Sequence, residues 1–141
     1  MPILGIIASS KFGDVGDFES IATVSVGSGG AATVDFTSIP STYTHLQLRY
    51  IARSDWANSK IDSLSIRINN DSATNYAYHL LSGNGATASA GAATSQTVIV
   101  GSVIPGDSYT SGMFGAGVID LLDYTNTNKY KTLRTWWSRY K

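Results

Sequence analysis

Residues 44–53 alternate in character. Leu46, Leu48, Tyr50 and Ala52 fall on one side of an extended backbone; His45, Gln47, Arg49 and Arg53 fall on the other, joined by Ile51. Successive side chains leave a strand on opposite faces, so a period of two marks a strand with one face in a core and one in water. Residues 63–69 repeat it, with Leu64, Ile66 and Ile68 set against Ser65, Arg67 and Asn69. Alternation of this kind belongs to antiparallel sheets, because parallel strands are covered on both faces and read as continuous apolar runs.

The rest of the chain is punctuated in the same way. Residues 18–26 and 32–36 flank Gly27-Ser28-Gly29-Gly30 and read as a hairpin. Residues 76–81, 97–103 (interrupted by Gly101), 113–124 and 130–137 read as further strands. Turns are expected at Asn69-Asn70-Asp71 and Pro105-Gly106-Asp107, where short polar side chains bond their own backbone. Residues 82–95 hold only small or polar side chains and read as a long mobile loop. No segment carries a helical period with caps. The pattern predicts an all-β chain folded as an antiparallel β-sandwich or jelly roll, with a small β-barrel as the alternative.

At 141 residues the chain suits one domain, expected over residues 12–141 after an apolar arm at 1–11. The arm holds Ile3, Leu4, Ile6 and Ile7. It lacks a basic region before its apolar run, which argues against a signal peptide, and is too short to cross a bilayer. Membrane insertion is therefore not expected, and the arm is assigned to attachment. Only 14% of residues are charged, against about a quarter in a typical domain. A surface so poor in charge is either rich in Ser, Thr and Asn or covered by other protein. Net charge is zero, and the basic residues near the C-terminus read as a solvated strand face, so nucleic acid is not an expected partner. With no cysteine there is no disulfide.

No constellation for catalysis emerges. His45 and His79 each sit on a predicted strand, without metal-ligand spacing to another His. Asp120 and Asp123 are three apart and leave a straight strand on opposite faces, unlike the facing pair of a glycosidase. Asp123 reads as a turn former, and Asp120 as partly buried against Lys or Arg. No nucleophile elbow or phosphate-binding loop occurs. The chain is expected to be non-enzymatic, with no catalytic, cofactor or metal residues. The aromatic residues are more informative. Trp56 and Tyr109 are candidate glycan contacts, since an aromatic ring stacks on the C–H face of a pyranose. Trp136, Trp137 and Tyr140 are candidate interface residues.

Three segments carry a resemblance: residues 1–10 (MPILGIIASS), 27–48 (GSGGAATVDFTSIPSTYTHLQL) and 114–133 (FGAGVIDLLDYTNTNKYKTL). In this order and spacing they resemble a family of tailed-bacteriophage virion proteins, described as tail-fibre-like or minor structural proteins. The resemblance implies a β-rich module located in the virion. It would assemble with itself, as a trimer in first expectation, and with other virion proteins, and could also meet a host-surface glycan. It implies no catalytic motif. Family members continue past the KYKTLR-like segment through further strands, whereas this chain stops at Lys141. An open sheet edge completed by a neighbouring copy is therefore expected.

Overall fold

The structure is a computed structural model that describes residues 18–139, and these fall into two units divided between Ile39 and Pro40. In the first, Gly30 adopts the left-handed region (φ 72°) and its N–H donates to the Gly27 carbonyl at 3.1 Å, closing the expected turn. The strands expected at 18–26 and 32–36 do not form. The reason is physical: a two-stranded hairpin is marginal unless a third strand or a covering layer buries one face. Here Val24, Val26 and Val34 remain 48%, 51% and 42% exposed.

The second unit is all-β. Its seven strands are β1 (Leu46–Ala52), β2 (Ile61–Ile66), β3 (Tyr76–Gly83), β4 (Ala88–Gln96), β5 (Ile99–Pro105), β6 (Gly115–Leu122) and β7 (Thr132–Arg139). Pairing is nested and antiparallel: β1 with β6, β2 with β5, and β3 with β4. The chain thus runs out to a tip at residues 84–87 and back along itself, and β7 then adds to β6. The sheets are β1-β6-β7, β2-β5 and β3-β4, an antiparallel sandwich rather than a closed barrel.

Residues 82–95 correct the sequence reading. They are not a long loop; most of them form β4, paired with β3 from Tyr76↔Gln96 to Gly83↔Ala88. Ala, Ser and Gly have weak strand propensity, but a ladder is made by backbone groups that every residue carries. The tip supplies what β4 lacks. Asn84 Oδ1 accepts from the N–H groups of Ala86 (3.0 Å) and Thr87 (2.8 Å), while Gly85 takes φ 89°. The 69–71 turn forms as expected, with Asn69 and Asn70 both left-handed (φ 53° and 57°). The Tyr76 hydroxyl fastens it, donating to the Asp71 carbonyl at 3.0 Å.

The core lies between β5 and the β1-β6-β7 sheet. Ile104 of β5 and Ile119 of β6 are buried, at 6% and 4% exposed, and Pro105 and Ser102 at the same place are fully buried. Gly115 permits this approach, and Gly117 makes room for Tyr50 within the sheet. A Cβ on Gly115 would stand 2.9 Å from Pro105 Cδ; one on Gly117 would stand 2.6 Å from Tyr50 Cζ. Tyr50 thus lies over Gly117, its partner across the β1–β6 ladder. Tyr50 Oη and Ser102 Oγ are both buried without hydrogen-bond geometry to any partner. Burial pushes the Tyr50 phenol up, and the neighbouring Ser102 hydroxyl opposes that shift.

Candidate functional site

Two surfaces of the second unit stand out. The first is a groove over β2 and β5. After β1 the chain turns through residues 53–60, with Asn58 in the left-handed region (φ 62°). Backbone bonds stitch this loop to the end of β5 and the segment after it. Ser54 N–H donates to the Pro105 carbonyl (2.8 Å), Gly106 N–H to Lys60 (2.9 Å) and Ser108 N–H to Ser59 (3.0 Å). Within the loop, Ser54 Oγ donates to Asp62 Oδ2 at 2.6 Å and accepts from Trp56 N–H at 3.0 Å. The indole of Trp56, 63% exposed, is thereby carried on a pinned backbone. It forms one wall of a groove of about 410 Å³ lined also by Ser59, Ile61, Asp62, Ser63, Ser65 and Val103.

Alternation of β2 accounts for Ile61, Ser63 and Ser65, which point outward while Leu64 and Ile66 point inward; Asp62, opposite Ile104, is on the inward side and joins the lining where it meets Ser54 of the loop. Val103 stands opposite Ser63 in the ladder. Asp62 Oδ1 also accepts from Ser63 N–H at 2.7 Å, so both its oxygens are engaged.

Arg53, at the start of the same loop, holds the segment between β5 and β6. Its Nη1 donates to the carbonyls of Thr110 (2.8 Å) and Met113 (3.2 Å), and its Nη2 to those of Asp107 (3.0 Å) and Tyr109 (2.9 Å). One guanidinium gathers four carbonyls and shapes the loop between β5 and β6. Tyr109 belongs to that loop, is half-buried, and does not line the groove.

The second surface is the outer face of β1-β6-β7. Register places Gln47, Asp120 and Arg134 in one row, and Arg49, Val118 and Trp136 in the next. Ile51, Ala116 and Ser138 make the third. The first row is polar: Asp120 accepts from Gln47 Nε2 (2.8 Å) and from Arg134 Nη2 (3.4 Å), as the sequence suggested for Asp120. The other two expose Ile51 (64%) and Trp136 (66%). Trp137, one residue on, lies half-buried on the inner face with Tyr50. The outer edges of β1 and β7 carry no paired strand among the described residues. Tyr140, Ile3, Leu4, Ile6 and Ile7, named from the sequence, lie outside the described residues.

Asp123 forms the turn after β6, with φ 48° and its carbonyl accepting from Asn126 N–H at 3.1 Å. Its N–H donates to His45 Nδ1 at 2.9 Å, which makes that imidazole nitrogen an acceptor. Its carboxylate meets the Lys129 ammonium, and this contact holds the carboxyl below the usual range. Among the described residues no three His, Asp or Glu side chains come together as a metal site. Among the same described residues no helix is long and apolar enough to cross a membrane.

Sequence reasoning singled out Trp56 and Trp136 but missed Asp62, Ser63, Ser65 and Val103. Their period-two pattern showed only which side chains point outward. Nothing local revealed that residues 53–60 fold back above them.

Compared with family models, curated proteins and solved structures, the chain matches none.

Proposed function

We propose that this chain is a structural, non-enzymatic assembly module of a tailed-bacteriophage particle, serving as a tail or fibre accessory or a capsid decoration. The observation that carries the assembly reading is the imbalance between buried and exposed apolar groups. Ile104 and Ile119 are buried, whereas Ile51, Leu81, Phe114 and Trp136 are each more than half exposed. Exposed apolar groups that register aligns on one sheet face, as with Ile51 and Trp136, mark a contact surface, and unpaired strand edges offer further backbone pairing. The phage assignment rests on the resemblance of residues 1–10, 27–48 and 114–133.

The test is mass-resolved size analysis across a dilution series, with the wild type beside Trp136→Lys. A trimer or other closed oligomer is expected, dissociating in the variant while far-UV circular dichroism stays β-rich. A wild type that remains a folded monomer at every concentration overturns the assembly reading. The particle assignment is tested separately, by mass spectrometry of purified particles of the phage that encodes the chain.

A further inference from the structure

We infer that the Trp56 groove is a subsite for one neutral pyranose ring of a glycan. This binding function is additional to assembly and does not depend on it.

Four observations converge on that ligand. The indole is exposed yet held on a loop stitched to its neighbours by backbone bonds, so stacking on it costs little ordering of the receptor. The groove, at about 410 Å³, is a shallow, open depression with room for one ring lying against the indole rather than for an enclosed ligand. Its floor is amphipathic: Ile61 and Val103 give apolar contact, and Ser63 and Ser65 give hydroxyl groups that both donate and accept. No lysine, arginine or histidine lines it.

The charge pattern selects among carbohydrates. The one carboxylate, Asp62, already accepts from Ser54 Oγ (2.6 Å) and Ser63 N–H (2.7 Å). It keeps lone pairs for sugar hydroxyls but repels a uronate or a sialate. A pyranose with equatorial hydroxyls offers a flat C–H face to the indole and a hydroxyl rim to Ser63, Ser65 and Asp62. A purely apolar partner would leave those groups desolvated without partners, at a cost.

The experiment is 1H–15N correlation NMR of the full chain, titrated with the methyl glycosides of glucose, galactose, mannose and N-acetylglucosamine and, separately, with methyl glucuronide. The three indole N–H signals are assigned by substitution. Saturable millimolar shifts are expected for the Trp56 indole and the Ser63 and Ser65 amides with at least one neutral sugar, and none for Trp136. Trp56→Ala should weaken binding about tenfold or more, equal to the loss of one stacking contact. Ser63→Ala should weaken it several-fold without changing the spectrum elsewhere. If no neutral sugar gives a saturable shift, if the shift survives Trp56→Ala, or if glucuronide binds as well as its neutral counterpart, the inference is overturned. If the Trp56 signal responds only to protein concentration, the groove is an assembly contact and the inference is likewise overturned. These outcomes leave the oligomeric state, measured by size analysis, untouched.

Discussion

Replacing Gly106 by alanine tests how the groove is built. Gly106 is buried and is not in the left-handed region, so alanine is conformationally allowed and the penalty is steric. An added Cβ would collide with the Ser59 carbonyl oxygen and stand 3.1 Å from its carbon and 3.4 Å from Ile61 N. Backbone cannot swing aside as a side-chain tip can, so residues 59–61 must retreat. That strains two bonds, Gly106 N–H to Lys60 (2.9 Å) and Ser108 N–H to Ser59 (3.0 Å). Each such bond is worth about 1 kcal/mol net. Overpacking adds roughly 1–3 kcal/mol. The stiffer unfolded chain returns about 0.4–1 kcal/mol. The net loss is about 2–4 kcal/mol, a lowering of Tm by roughly 10–25 °C for a domain of this size.

Gly91→Ala is the control. It makes the same chemical change within β4, where nothing lies within 4 Å of the new Cβ. It should be neutral or stabilising by up to about 1 kcal/mol, because glycine is unfavourable inside a strand. Thermal and urea unfolding followed by far-UV circular dichroism and tryptophan fluorescence measure both. If Gly106→Ala and Gly91→Ala unfold within about 0.5 kcal/mol of each other, the stitched-loop account of the groove is wrong.

The Tyr50 hydroxyl is buried beside the Ser102 hydroxyl without good hydrogen-bond geometry to it, so Tyr50→Phe should change stability by less than about 1 kcal/mol. A loss above about 1.5 kcal/mol in urea unfolding would show that the hydroxyl is in fact bonded. The Asp123 carboxyl, held down by Lys129, should titrate below the ordinary aspartate range in side-chain NMR and return to that range in Lys129→Met. Since the folded value is the depressed one, the contact's contribution is complete above the unfolded aspartate pKa and is lost as pH falls through the folded value. Loosening of the turn on raising the pH instead would contradict this assignment.

The sequence by itself determined the all-β class and most of the strands. Alternation reports on a strand and its two faces without reference to the rest of the molecule. The faces of β1 and β2 were legible in this way, the Asn69–Asn70 turn in the short polar side chains that bond their own backbone, and the exposure of Trp56 in its place within a loop-like segment. Only tertiary structure decided which alternating segments become strands. Residues 18–26 and 32–36 have strand-forming side chains but, among the described residues of their unit, no third strand to bury them. Residues 88–96 have poor strand formers but find β3 at the right distance. Tertiary structure alone also assembled the groove. Its lining comes from the loop after β1, from β2 and from β5. These are brought together by nested pairing and by close approach at Gly106, where a side chain would not fit. Periodicity is local, whereas pairing partner and backbone clearance are relations between distant residues, and a pattern read along one strand does not contain them.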